Sequence, residues 1–553
     1  MKKILIFLLC ILLSVQTFAA DIEITEDFEV KVNKEALLAA LYEADIESLR
    51  QAIDLKLVSC YELTSYYLER IEAYNDTFHC FVTLCDNALE IARQRDEAIA
   101  NGTATGKLFG IPIVVKDNID YEGFLTTNGK ASGTMAPKNA TVVQNLLDEG
   151  AVILGKTHMS AGAQDAICSV SDTGLHTYNA YNPNLASGGS SGGSAVAVSL
   201  NFAVAGLGTD TNSSLRYPSA LNGCISLRTT TGLLSRDGCV ILNPSRDTVG
   251  TITRSVKDQA IMLDAMSANA YGFTQKLNSD ALDGLRIGVL SELSYPINSS
   301  YDRSSVAVDK EILTAFDNAL TELESCGAEI VMIDNTSVLS EIEADQNLSK
   351  TLERILNENQ VSALIYPAYL HTPHYDNPDY LGGKSVYDLP YITNCNGISS
   401  RSGAPEITVP IGQHSSGAGI AMEIISFQNN DQLLLDIAYS YTIRYNHRQE
   451  PETAPTLYFG ETECSLQDFL KLYEQKTETA ERLSALPNQP PVVEPVQPTE
   501  VPAVSKPSSR LHPQSIESKN YNFEIWLVAV PLSIVLLVCG VFLLKKKKTT
   551  VKK

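Results

Sequence analysis

Three short stretches of this chain carry residue types that could do chemistry together. Gly188 to Gly193 reads GGSSGG, Thr209 to Ser214 reads TDTNSS, and Lys116 follows the apolar run of GIPIVVKDN, Gly110 to Asn118. Ser190 and Ser214 stand 24 residues apart. Cutting a carboxamide needs a nucleophile, a base to take its proton and donors for the oxyanion. A serine hydroxyl is a poor nucleophile unless a base lies beside it. Histidine is the usual base. None of His79, His158, His176, His371, His374, His414, His447 or His512 lies in a serine elbow or a zinc motif. His158 and His176, the nearest in sequence, read as hydrogen-bonded structural residues. Lysine serves instead when it is neutral, and burial lowers a lysine pKa, sometimes by several units. Taken singly, Lys116 is also readable as a surface lysine at a strand end. GGSSGG alone is also readable as a flexible loop or a phosphate-cradling nest, although the P-loop ending Gly-Lys-Ser/Thr is missing.

Taken together, these stretches resemble the amidase signature family, hydrolases with a Ser–Ser–Lys triad. The resemblance covers most of Asn33 to Arg444. It includes the helix near Ser59 to Tyr74, the strands GIPIVVKDN and GAVILGKT, and GAPEITVPIG at Gly403 to Gly412. It implies that Lys116 is the base, that Ser190 is a bridging serine on a cis peptide, and that Ser214 is the nucleophile. Backbone N–H groups of Thr211, Asn212, Ser213 and Ser214 would form the oxyanion hole. Ser191, Asp210 and Arg216 would support, the last two as a hydrogen-bonded ion pair that braces the loop. The family pattern has two glycines where this chain has Asn212 and Ser213. Should either position need φ > 0, the site would carry roughly 1–2 kcal/mol of strain. No metal or organic cofactor is implied.

The elements that must position these residues alternate between apolar runs and helical stretches. Asn33 to Asn75 is helical, with Ser59 and Glu62 as a capping box. Strands are expected at Ile111–Val115, Ala151–Leu154, Phe202–Ala205, Leu285–Leu290, Ile330–Ile333, Leu364–Tyr366 and Ile407–Val409. Helices are expected at Thr141–Leu147 and about Val306–Ser325. Such alternation predicts an α/β fold with a sheet covered by helices on both faces, and the resemblance makes it a large mixed twisted sheet. No proline- or glycine-rich linker interrupts residues 21–485, so they read as one amidase domain.

The two ends suggest where the chain works. Residues 1–20 read as a signal peptide: Lys2 and Lys3, an apolar run, then Ala19 and Ala20. Residues 525–544 form an uncharged apolar run of membrane-spanning length. The basic tail 545–553, with six lysines, would then be cytoplasmic. Eight prolines between Leu486 and Ser515 mark 486–520 as an extended stalk. Net charge is −23, which opposes nucleic acid as a partner because phosphate binding needs Lys and Arg. The nine cysteines outside the end segments match no metal framework and read as buried apolar residues rather than a disulfide scaffold.

The expected activity is therefore hydrolysis of an external small-molecule carboxamide by a cell-surface serine amidase. Two rivals stand beside it. One is a protein like the glutamyl-tRNA amidotransferase A subunit, the other a non-catalytic surface binding protein on an amidase fold. The oligomeric state is not legible.

Overall fold

The computed structural model describes residues 22–25, 29–294, 308–333, 348–371, 397–459 and 464–484. The signal-like segment, the stalk, the apolar run 525–544 and the basic tail lie outside the described residues, as does Cys395. Among the described residues no helix is long and apolar enough to cross a membrane.

An eleven-stranded mixed sheet organises the fold. In chain order its strands are β1 (Phe81–Leu84), β2 (Pro112–Lys116), β3 (Val152–Thr157), β4 (Ala205–Asp210), β5 (Ile225–Arg228) and β6 (Thr248–Thr253). They continue as β7 (Arg286–Leu290), β8 (Glu329–Ile333), β9 (Ala363–Pro367), β10 (Glu406–Gln413) and β11 (Gly419–Ile425). Across the sheet the order is β8-β7-β9-β11-β10-β5-β6-β4-β2-β3-β1. The pairs β4·β2, β2·β3, β7·β8 and β7·β9 are parallel. Every residue of β2, β3, β4, β6 and β9 is buried. Side chains alternate between the faces of a sheet, so these strands are covered on both sides. That is why they read as continuous apolar runs and not as alternating ones.

The helical stretch near the N-terminus resolves into three helices, Lys34–Ala40, Ile46–Asp54 and α1 (Cys60–Phe78). The expected capping box opens α1. Ser59 Oγ accepts from the Glu62 N–H at 3.0 Å, and Glu62 Oε2 accepts from the Ser59 N–H at 2.9 Å. Helices Thr141–Asp148 and Lys310–Ser325 stand where their periodicity predicts.

One strand is displaced from its expected place. Phe202 to Ala205 reads as a strand, but the strand is β4, which begins at Ala205. Phe202 and Ala203 are buried in the turn before it. Two glycines weaken the strand signal of β4. Gly208 is required by close approach: a Cβ there would lie 2.7 Å from Leu215 Cδ2 and 2.9 Å from Ser191 Oγ. The strand has given up a side chain so that the two serine loops can pack on it.

The eight described cysteines are all free, and Cys60, Cys80, Cys85, Cys168 and Cys224 are buried, as apolar residues would be.

Candidate active site

Strands β2 and β4 run parallel, with Val115 opposite Leu207, so their carboxyl ends open on the same edge of the sheet. The crevice beyond the carboxyl ends of parallel strands is where open α/β sheets bind ligands. Lys116, the last residue of β2, is fully buried there. Its Nζ lies 2.8 Å from Ser190 Oγ and 2.9 Å from Thr209 Oγ1. Asn118 Nδ2 donates to the same threonine oxygen at 2.9 Å. Burial pushes the Lys116 ammonium down from its ordinary value to about 7, against the opposing pull of Asp210 and Asp247. A neutral amine has two N–H groups and one lone pair. With Thr209 taking an N–H, the lone pair is available to the Ser190 hydroxyl.

Ser190 is itself fully buried, and the Gly189–Ser190 peptide bond is cis. The turn that presents it needs glycine at 188. Gly188 has φ of +74°, and a Cβ there would stand 2.8 Å from Pro218 Cα. The Gly189 N–H donates to Ala166 C=O at 2.7 Å, and the Ser160 N–H donates to Ser190 C=O at 3.3 Å. The segment His158 to Cys168, a candidate acyl pocket from the sequence, thus packs against the Ser190 turn as a support. His158 is a structural residue, as expected: its Nδ1 lies 2.7 Å from Thr177 Oγ1, and burial pushes its pKa down to about 4. Helix α2 (Gly192–Ser199) carries the chain away, buried along its whole length.

Ser214 lies in the turn between β4 and α3 (Arg216–Leu221), with 7% of its surface exposed. Ser191 ties the two serine turns together. Its N–H donates to Ser214 C=O at 3.1 Å, and its hydroxyl donates to Thr209 C=O at 3.3 Å. Among the described residues no hydrogen bond joins the Ser214 hydroxyl to Ser190. Asn212 and Ser213 are not among the non-glycine residues with positive φ. The strain that a glycine-to-Asn or glycine-to-Ser exchange could impose is therefore absent. Asn212 is exposed, and its Oδ1 accepts from Arg246 Nη1 at 3.5 Å. Thr211 donates its hydroxyl to Asp247 Oδ1 at 2.6 Å.

The Asp210–Arg216 ion pair is present, Arg216 Nε to Asp210 Oδ2 at 3.1 Å, and it belongs to a larger buried cluster. Arg216 Nη1 reaches Glu406 at 2.5 Å and Glu423 at 3.0 Å, while Arg228 Nη1 reaches Asp210 Oδ1 at 3.1 Å. Tyr366 donates its hydroxyl to Glu406. All five charged side chains are fully buried. The two guanidiniums hold the Asp210 carboxyl below its ordinary range despite burial, which pushes it the other way. Arg216 also donates to Asn212 C=O, so the cluster fixes the backbone two residues before Ser214. Sequence reasoning missed Arg228, Glu406, Glu423, Thr209 and Asn118. The available signal was a carboxylate inside an apolar strand, Glu406 in GAPEITVPIG, since a buried charge needs a partner.

Among the described residues no three His, Cys, Asp or Glu side chains converge as metal ligands. With this geometry in hand, comparison with known proteins is informative. The family model described as Amidase matches residues 62–344, a span that contains Lys116, Ser190 and Ser214. The chain belongs to the amidase family.

Among similar curated proteins is the glutamyl-tRNA(Gln) amidotransferase A subunit of Caldanaerobacter subterraneus subsp. tengcongensis, 35% identical over 308 residues. That alignment covers 53% of this chain and 60% of the relative. Its namesake from Lachnospira eligens is 36% identical over 281 residues, covering 48% and 56%. The chain thus spans less than two thirds of the length of these relatives. The native peptide amidase of Stenotrophomonas maltophilia superposes with a TM-score of 0.63 at 26% identity, covering 75% of this chain and 99% of that one. A 6-aminohexanoate cyclic dimer hydrolase shares the fold with a TM-score of 0.63 at 21% identity, over 76% of this chain and all of that one.

Proposed function

We propose that the chain is a serine amidase that hydrolyses the C–N bond of a small carboxamide through an acyl-enzyme. Neutral Lys116 takes the Ser190 proton while Ser190 takes the proton of Ser214. Ser214 Oγ attacks the carbonyl carbon, and N–H groups of the Thr211–Ser214 turn receive the oxyanion. The C–N bond breaks as the leaving amine collects the proton back through Ser190. Water then attacks the acyl-enzyme by the same relay and releases the acid. The observation that carries this reading is a fully buried lysine amine, its pKa pushed to about 7, lying 2.8 Å from a buried serine hydroxyl. No motif-borne histidine competes for that part. Catalytic hydrogen bonds commonly tighten only in the Michaelis complex. The proposal requires Ser214 Oγ to come within about 3 Å of Ser190 Oγ when substrate binds.

The test is burst kinetics with an activated anilide or ester. Acyl-enzyme chemistry gives a first-turnover burst of one leaving group per chain, and Ser214→Ala removes it. A burst that survives Ser214→Ala assigns the nucleophile elsewhere. No burst and no turnover with the wild type favours a binding protein.

A second reading rests on the 34–36% identity to amidotransferase A subunits over about half the chain. It would make the chain a glutaminase that passes ammonia to a partner-bound tRNA. The net charge of −23 and the signal-like and membrane-spanning ends favour the free-standing, surface-anchored hydrolase instead. Protease shaving of intact cells separates them. Loss of the 21–485 region with the 545–553 tail protected supports the surface enzyme, and full protection supports the internal amidotransferase component.

A further inference from the structure

Eleven large apolar side chains are exposed among the described residues, and five of them lie on two loops beside the candidate site. Val240, Ile241 and Leu242 are consecutive, each 40–42% exposed. Their backbone is pinned at both ends to the site. The Val240 N–H donates to Asn118 C=O at 2.9 Å, two residues beyond Lys116. The Leu242 N–H donates to Asp247 Oδ2 at 2.6 Å, and the other oxygen of Asp247 accepts from Thr211, three residues before Ser214. The second loop is the hairpin Leu125–Thr126 with Thr134–Met135, where Leu125 is 47% and Met135 56% exposed. It sits at the carboxyl ends of β2 and β3: Lys156 Nζ of β3 donates to Leu125 C=O at 3.4 Å. Asp120 N–H to Gly238 C=O at 2.8 Å and Lys138 to Asp237 at 2.7 Å lash the two loops together. Scattered exposed apolar residues are ordinary, whereas a cluster held in place by the main chain marks a binding surface.

We infer that these two loops form an apolar subsite for a substrate that carries an aliphatic chain or aromatic group on its carboxamide. The inference rests on the amidase reading and names its substrate class. Water leaves both surfaces when such a chain settles on Val240, Ile241, Leu242, Leu125 and Met135. Each methylene that the subsite covers then adds a fixed factor to kcat/KM.

The experiment uses the full-length protein and two substrate series: p-nitroanilides of acids from two to ten carbons, and acetamides of amines of the same lengths. In at least one series kcat/KM rises about three- to fourfold per methylene. The triple variant Val240→Ser, Ile241→Ser, Leu242→Ser flattens that slope and leaves the two-carbon anilide within about twofold of wild type. The retained two-carbon turnover shows that the variant is folded. Wild-type turnover with flat profiles in both series overturns the subsite and leaves the amidase reading standing. A slope that the triple variant does not change also overturns it. Turnover of none of these amides by the wild type overturns the amidase reading and the subsite together.

Discussion

At the scale of single residues, the chemistry turns on the protonation of Lys116. An ammonium cannot accept a proton, so only the form above a pKa of about 7 is active. The sign follows: kcat/KM should rise about tenfold per pH unit below 7 and level off above it, read from rates between pH 5 and 9. Lys116→Met should lower kcat/KM about 10²–10⁴-fold and remove this limb. Asn212 and Ser213 make a second test. Neither sits at positive φ, so glycine at both positions relieves no strain and only loosens the unfolded chain. The Asn212→Gly, Ser213→Gly double variant should lose about 1–2 kcal/mol in urea unfolding. A gain in stability would show strain after all. Lys116, Ser190 and Ser214 were legible because each sits in a short contiguous motif. Thr209, which shares the lysine with Ser190, was overlooked inside TDTNSS because a hydroxyl beside an aspartate has no signature of its own. The absence of strain at 212 and 213 was not legible, since one sequence cannot state a backbone dihedral.

At the scale of elements, helix α4 (Val256–Met266) meets the N-terminal helices through one buried carboxyl. Asp258 Oδ1 accepts from the Ile46 N–H at 2.9 Å. Burial, helped by neighbouring Asp45, pushes its pKa from 3.8 to about 7. The folded state thus holds its proton more tightly than the unfolded state does. Stability from this group is complete below about pH 4 and falls as pH rises through 7. Asp258→Asn keeps the acceptor and removes the charge. It should raise stability by about 1–2 kcal/mol at pH 8, shrinking towards zero near pH 4, as measured by urea unfolding at both values. Equal effects at the two pH values would contradict the shift. Most elements were legible at this scale because buried strands read as apolar runs and helices carry caps. β4 was misplaced by a few residues. Its glycines exist for the serine loops that pack on it, and a packing requirement leaves no periodicity.

At the scale of the whole molecule, the cluster of Asp210, Arg216, Arg228, Glu406 and Glu423 ties β4, α3, β5, β10 and β11 to the nucleophile's turn. Its members stand up to 213 residues apart in the chain, so only the pair Asp210–Arg216 could be read locally. Removing one member leaves a buried charge without its partner. Arg216→Met should therefore cost about 3–5 kcal/mol and most of the activity, as calorimetry and anilide turnover would show. The mixed α/β sheet was legible from alternation, but strand order was not, because pairing is decided by long-range packing. The central claim is that buried Lys116 activates Ser214 by way of Ser190, and covalent labelling tests it most directly. The full-length protein is treated with a fluorophosphonate, digested and mapped by mass spectrometry, beside Lys116→Met. The account expects one adduct, on Ser214, forming at least about a hundredfold more slowly in the lysine variant. An adduct on another residue, or equal rates in the two proteins, would contradict it.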